Sequence, residues 1–368
     1  MSRLCIIYNS APLYRRAIFQ QIDRMFDCDW YFSELKSDIK QMDTSALNCV
    51  HSITPIYFHN KNIWKRGLIK LLFKKEYNKY LILFETRSLT DWLFVLLYSL
   101  FFKKKQLYIW THGWYGKESG LEAKLKRWLY QQVTGIFVYG NYARMLMIEQ
   151  GINENKVFTI HNSLQYAEQF EIRRSLKPSN VYKEHFGNDN TVIIFIGRLT
   201  KVKRLDLLID AIARLKTNNE PYNLVIVGDG TEKESLISMS KETGIAENTW
   251  LYGACYDEKE NAELIYNADL CVAPGNVGLT AVHTMMFGTP VISHNDFKWQ
   301  MPEFEAIKEG KTGSFFEIDN VESLVQSIHD WFENKKNRRE EVRDACYEEI
   351  DTQWNPAFQI DVLKKHLQ

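Results

Sequence analysis

The chain has no long apolar run, no net charge and no cysteine pattern suited to a metal, and each absence removes a class of protein. Its longest apolar stretch, residues 92–102, is interrupted by Ser99 and falls far short of the roughly 20 residues that span a bilayer. The apolar residues 4–8 are too few for a secretory leader and lead straight into a polar turn, so a cytoplasmic chain is expected. None of the six cysteines (Cys5, Cys28, Cys49, Cys255, Cys271 and Cys346) lies in a CxxC or other metal-ligand spacing. Several sit in apolar, strand-like runs, as buried thiols do in a reducing compartment. There is no DxD pair flanked by apolar strands and no His/Cys cluster, so neither a metal nor a cofactor is expected. No repeat and no low-complexity tract is visible.

The zero net charge conceals an asymmetry. Residues 1–170 carry 23 Lys+Arg against 14 Asp+Glu, and residues 171–368 carry 23 against 32. Opposite halves argue for two domains with different surroundings, as does a length of 368 residues. A basic half suits an anionic surface. No RNA-binding or zinc-finger motif accompanies it, so a membrane surface is expected in preference to nucleic acid. Aromatics, at 14%, fit sugar-stacking surfaces but fit core packing better.

Short β-rich runs alternate with amphipathic stretches. Strands are expected at 4–8, 81–84, 107–110, 136–139 and 157–160, and again at 192–196, 224–227, 250–252, 270–273, 291–293 and 314–316. Between them lie helical patterns, such as Leu205, Leu208, Ile209, Ile212 and Leu215 on one face. This alternation predicts an α/β fold of two doubly wound, Rossmann-like domains. The expected boundaries are an N-terminal domain at 1–165, a polar connection at 166–190, a C-terminal domain at 191–352 and a helix at 353–368 returning to the first domain. Ligands bind beyond the carboxyl ends of such sheets, and two facing sheets place the site in the cleft between them.

Three segments carry candidate chemistry. In FIGRLTKVKR, residues 195–204, Gly197 permits a tight turn after a strand, and Arg198 and Lys203 follow near the next helix start. Two cations there can clamp a diphosphate and stabilise it as a leaving group; a solvated basic loop has the same spacing. In residues 272–292 a strand ends at Pro274, Gly275 and Gly278 follow, and an apolar helix begins near Leu279. Free amides at such a helix start meet phosphate or sugar hydroxyls. The IVGDG turn at 226–230 contains Gly228, but a lone GxG is more often only a turn.

Taken together, these segments resemble the retaining GT-B glycosyltransferases that use nucleotide sugars, the group 1 or family 4-like enzymes. The resemblance runs over about 191–334 and includes GRLxxxK, VGDG, NADLCVAP, GTPVI and MPEFEAIKEGKTG. It implies the GT-B fold and a metal-free transfer in which a leaving phosphate oxygen helps deprotonate the acceptor on the same face. It implies that Arg198 and Lys203 meet the donor diphosphate, and that Gly197, Gly228 and the loop Val277, Gly278, Leu279 and Thr280 line the donor site. The family's two glutamates, eight positions apart, are missing: their positions hold Gly275 and His283. His283 can hydrogen-bond a ribose or be a plain helix residue, and Glu303 or Glu305 is a possible substitute. In the first half, His112 follows a strand in IWTHG, where a related histidine meets the donor sugar. Tyr14, Arg15, Arg16 and Glu85 also follow strands and are expected on the acceptor side. His161 and Asn162 stand where the family often has Asn-Gly and are expected to serve the hinge.

Residues 61–79 carry seven cations and one acid, with Ile63, Trp64, Leu68, Leu71, Leu72 and Tyr77 at helical spacing. They read as a membrane-surface helix, or as an ordinary domain helix with a solvated basic side. Lys103, Lys104 and Lys105 after the apolar run suit the same membrane face. The expectation is a glycosyltransferase, peripheral on the inner face of the cytoplasmic membrane, moving a sugar from a nucleotide-sugar donor to a lipid-linked glycan precursor. The alternative is a non-catalytic nucleotide-sugar-binding homologue or partner subunit.

Overall fold

The computed structural model describes residues 3–33, 39–58, 62–335 and 337–367. The chain divides into two compact units, Met1–Gln165 with Pro356–Gln368, and Tyr166–Asn355. Each is an α/β sandwich around a parallel sheet, as the strand–helix alternation requires.

The first unit holds β1 (Arg3–Tyr8), β2 (Cys28–Phe32), β3 (Val50–Ser52), β4 (Pro55–Tyr57), β5 (Ile63–Lys65), β6 (Tyr77–Leu83), β7 (Gln106–Thr111), β8 (Gly135–Val138) and β9 (Val157–Thr159). Seven of these form one sheet in the order β3-β2-β1-β6-β7-β8-β9, every pair parallel, and β4 pairs antiparallel with β5 beside it. The sheet is buried on both faces, which explains the continuous apolar strands. Leu4, Ile6 and Tyr8 of β1 join one core, which the helix Pro356–Leu367 covers with Ile360 and Leu363. Cys5 and Ile7 point to the other, with Phe94, Val95 and Tyr98 from the helix Leu89–Phe101.

The second unit holds β10 (Val192–Ile196), β11 (Asn223–Val227), β12 (Thr249–Gly253), β13 (Leu270–Ala273), β14 (Val291–His294) and β15 (Gly313–Phe316), in the order β12-β11-β10-β13-β14-β15. The strand order reverses between β10 and β13, and this switch point opens a crevice beyond their carboxyl ends. The segment expected as a connection, 166–190, folds as two helices, Tyr166–Ser175 and Val181–Phe186, within this unit. Gln169 and Tyr182 bury their side chains there, and the Tyr182 hydroxyl donates to the Leu264 carbonyl.

The membrane helix expected at 61–79 does not form. Lys61 lies outside the described residues. The rest is β5, a left-handed turn at Gly67 (φ 88°), a 3-10 segment Leu68–Phe73, and the start of β6. Gly67 breaks the helical period. Ile63, Leu68, Leu71, Leu72 and Tyr77 are core residues, so the stripe faces inward. Lys65 is wholly buried, with its Nζ 2.8 Å from the Asp91 carboxylate and 3.0 Å from Asn9 Oδ1. Among the described residues, no helix is long and apolar enough to cross a membrane.

Candidate active site

At the switch point of the second unit, two loops meet. The first follows β10 and runs Gly197, Arg198, Leu199 and on to the turn Lys201–Lys203. The second follows β13 and leads through Gly275 and Gly278 into the helix Leu279–Met286. Lys203 joins them: its Nζ donates to the Asn276 carbonyl at 2.6 Å and to Asn276 Oδ1 at 2.9 Å. Both partners are neutral, so the ammonium charge is uncompensated by them. Burial, and secondly the nearby Arg198 guanidinium, push the Lys203 pKa down to about 8, against a weaker pull upward from Glu303. Arg198 is exposed at the same strand end.

The loops can lie this close only because glycine is present. A Cβ at Gly275 would stand 1.9 Å from the Val202 carbonyl oxygen, and one at Gly228 would stand 1.9 Å from the Gly197 carbonyl oxygen. Position 275 therefore excludes any larger side chain, a glutamate included, unless the Lys201–Lys203 turn moves. Gly228 backs the first loop. Gly278 takes a left-handed φ of 55° and caps the helix.

The helix start is pinned from two sides. Thr280 Oγ1 donates to the Ile196 carbonyl at 3.0 Å, and the Val277 amide donates to Gln300 Oε1 at 2.9 Å. Gln300 Nε2 in turn reaches Ser293 Oγ at 2.8 Å and the His294 carbonyl at 3.0 Å. The first intrahelical bond is Ala281 N–H to the Gly278 carbonyl, so the Leu279 and Thr280 amides have no intrahelical acceptor. They point off an electropositive helix end.

One turn further, His283 Nε2 lies 2.9 Å from Glu258 Oε1, which also accepts from Gln169 Nε2 at 2.7 Å. Burial would raise the Glu258 pKa, but His283 and Gln169 outweigh it and hold the carboxyl below its usual value. His283 is thus an oriented imidazole with a carboxylate behind it, not a plain helix residue. Glu303 is buried in the 3-10 segment Pro302–Ala306. Sequence reasoning missed Asn276, Gln300, Glu258 and Gln169. Asn276 lies within the segment 272–292, whereas the other three lie up to about a hundred residues from the groups they bond, with no local signal.

In the first unit, His112 follows β7. Its ring packs on Tyr139 at 4.9 Å between centroids and faces Tyr115 at 6.1 Å. Burial, then the charges of Arg15 and Lys126, lower its pKa to about 4, so it is neutral at pH 7. The loop after it is shaped by Glu118, whose carboxylate accepts from the amides of Tyr115, Gly116 and Lys117 and pairs with Lys126 Nζ at 2.5 Å. This buried pair was also missed.

The expected acceptor-side residues separate. Arg15 is 3% exposed, its guanidinium 5.1 Å from the ring centroids of both Trp110 and Tyr139, with Nη2 donating to the Tyr139 hydroxyl at 2.5 Å. It is a floor beneath the rings and not a surface contact for a phosphate, because four aromatic rings including Tyr8 and Tyr14 enclose it. Tyr14 is half-buried, and Arg16 Nε reaches Gln165 Oε1 at 3.3 Å. Glu85 lies two residues past β6, beside the Lys65–Asp91 pair, its amide donating to Asp91 Oδ2 at 3.2 Å. Burial, partly offset by Lys65, raises its pKa. His161 accepts a bond on its carbonyl from Gln359 Nε2 at 2.9 Å, and Ser163 Oγ bonds Gln359 Oε1 at 2.6 Å. This segment therefore fastens the helix Pro356–Leu367 to the first unit.

Residues 178–349 match the family model described as Glycosyl transferases group 1. The match falls within the second unit, covers just under half of the chain and includes Arg198, Lys203 and the Gly275–Thr280 loop. An uncharacterized 41.2 kDa protein in the cps region of Klebsiella pneumoniae is 28% identical over 226 residues, 59% of this chain and 58% of that protein. The chain therefore spans little more than half the length of this curated relative. Campylobacter jejuni N-acetylgalactosamine-N,N'-diacetylbacillosaminyl-diphospho-undecaprenol 4-alpha-N-acetylgalactosaminyltransferase is 30% identical over 150 residues, 40% of this chain and 39% of that one. The fold is that of the GT-B structure of Anabaena Alr3699/HepE, solved in complex with UDP. The TM-score is 0.73 at 14% identity, over 99% of both chains.

Proposed function

We propose that the protein transfers a sugar, with retention, from a nucleoside-diphosphate sugar to a lipid-linked glycan precursor at the inner face of the cytoplasmic membrane. The observation that carries the transfer reading is Lys203, a half-buried ammonium hydrogen-bonded to neutral groups of Asn276, next to an exposed Arg198. Withdrawing a charge from water is costly unless it is paired; Glu303 attracts Lys203 without bonding it, and a diphosphate would place an anion in contact. As the donor bond breaks, the two cations and the Leu279 and Thr280 amides would take up the charge developing on the leaving oxygen. That oxygen would receive the acceptor proton on the same face. His112, being neutral, would offer a hydrogen bond to a sugar hydroxyl and not a charge. His283, oriented by Glu258, would meet the nucleoside ribose.

The nucleotide bound in the Anabaena structure and the diphospho-undecaprenol named for the Campylobacter enzyme support the donor and acceptor classes. The test is a thermal-shift panel of UDP- and GDP-sugars followed by donor turnover. One nucleotide sugar should raise the melting temperature and then release nucleotide slowly without acceptor. If no nucleotide sugar stabilises the protein, the donor assignment fails. Turnover in excess EDTA is expected to match turnover in magnesium, because the two cations take the role of a metal on the diphosphate; loss in EDTA restored by manganese or magnesium would reject this.

One observation favours a second reading, a nucleotide-sugar binder without transfer. Position 275, where the resemblance places a glutamate, has no room for a side chain. That reading expects the thermal shift without release of nucleotide.

A further inference from the structure

The helix Leu89–Phe101 is apolar nearly all the way round, yet only one side of it is in the core. Phe94, Val95 and Tyr98 are buried. Leu96 and Leu100 are exposed on the other side, and at the helix end Phe101 is 72% exposed. The end of the 3-10 segment Leu68–Phe73 lies against this end of the helix. The Phe73 ring, 65% exposed, meets Phe102 edge-on at 5.1 Å. Lys105 ties the two together by donating from Nζ to the carbonyls of Leu72 and Lys74, both at 2.8 Å. Phe73, Leu100 and Phe101 therefore form one protruding apolar tip.

The charges around the tip are predominantly basic. Lys70, Lys74, Lys75, Lys103 and Lys104 are exposed. Residues 92–117 contain no aspartate or glutamate. The neighbouring acid, Glu76, is paired with Lys74 at 3.1 Å. Large apolar side chains cost free energy in water and are normally covered. A lysine collar disfavours a second copy of the same tip, since a two-fold contact would set lysine against lysine. An anionic lipid surface satisfies both features, because it accepts the rings and leucines into the acyl boundary and draws the lysines to its headgroups.

We infer that this tip, and not the buried stripe of Ile63, Leu68, Leu71, Leu72 and Tyr77, docks the protein on an anionic bilayer surface. The inference deepens the membrane part of the function proposed above and rests on it, but it is separate from the donor chemistry of the second unit. Phe73, Leu100 and Phe101 enter the headgroup boundary, and Lys103 and Lys104 sit beside them at the lipid phosphates.

The experiment is sedimentation of the full chain with phosphatidylcholine vesicles, with and without phosphatidylglycerol, at low and high salt. A triple variant, Phe73→Ser with Leu100→Ser and Phe101→Ser, is compared with Lys103→Ser plus Lys104→Ser. All five positions are exposed, so both variants should keep the wild-type melting temperature and nucleotide-sugar shift. Wild type should bind only the anionic vesicles. The lysine variant should lose about tenfold in partitioning at low salt and converge on wild type at high salt. The serine variant should lose at least about tenfold under both conditions. No binding by wild type, or equal binding by wild type and both variants, overturns the inference. So does a wild-type dimer in sedimentation velocity that the serine change dissociates, which would assign the tip to a second copy. An unchanged nucleotide-sugar shift in any of these outcomes leaves the donor reading standing, so the two can fail separately.

Discussion

Both units set cations against loops that follow the strands of a parallel sheet, but they hold them differently. In the first unit the cations are structural. Lys65 is wholly buried against Asp91, Lys126 is buried against Glu118, and Arg15 lies beneath aromatic rings. In the second unit Lys203 is held by the neutral groups of Asn276, and Arg198 is exposed. The difference shows that a cation at a strand end indicates a ligand only when its neighbours leave its charge unanswered. Two of the first unit's cations are already answered by a carboxylate, and Arg15 is enclosed by ring faces with Nη1 left without a hydrogen-bond partner.

This contrast can be broken most sharply at Lys65. Lys65→Met leaves Asp91 buried without its counter-charge, and stability should fall by about 3–5 kcal/mol. Chemical denaturation measures it, and Lys65→Met with Asp91→Leu should recover part of the loss. A fall under 1 kcal/mol, roughly the worth of an exposed pair, would erase the distinction between the two units.

The second unit should answer in binding, not in stability. Arg198→Ala and Lys203→Ala should each weaken nucleotide-sugar affinity by about 1.5–3 kcal/mol, the range for hydrogen bonds to charged groups, with the melting temperature of the free protein little changed. Calorimetric titration decides it, and normal affinity in both variants would make these cations as structural as those of the first unit.

A pH series sharpens the comparison further. The Lys203 pKa is lowered to about 8, so the free protein loses that charge as pH rises through this value. A diphosphate binds the protonated form, so binding takes up a proton and affinity should fall above pH 8, by up to about tenfold per pH unit. Lys203→Arg should flatten the fall, because guanidinium stays charged. An affinity that is flat between pH 7 and pH 9 would remove Lys203 from the site.

The smallest effect is expected at His112. Its pKa of about 4 keeps it neutral from there upward, so turnover should show no inflection near 6.5, the ordinary histidine value. An acid limb near that value, abolished by His112→Asn, would mean that the ring is more accessible than its packing on Tyr139 implies.

The two units also differed in how far they could be read from sequence. All six strands of the second unit were expected within a few residues, because each is a continuous apolar run followed by a turn. In the first unit β2 escaped notice, since its Asp29 is a buried acid that ion-pairs with Arg3 and accepts from Tyr77 and it interrupts the apolar pattern. The three-residue strands β3, β4 and β5 are too short to show a period. The donor motifs were legible because their residues are sequence neighbours of a strand end. Gln300, Glu258 and the Glu118–Lys126 pair were not, since nothing local ties them to the loops they hold.

Apolar runs and glycine-marked turns were enough to determine two parallel sheets and the position of the second unit's loops, because these depend on local periodicity. Tertiary structure alone decided which charges are answered and which apolar residues remain in water. Ile63, Leu68, Leu71, Leu72 and Tyr77 looked like a surface stripe but are core, whereas Phe73 and, at the end of a helix whose opposite side is buried, Leu100 and Phe101 are left exposed. Exposure and charge compensation depend on what other segments bring into contact, and no periodicity within one segment records that.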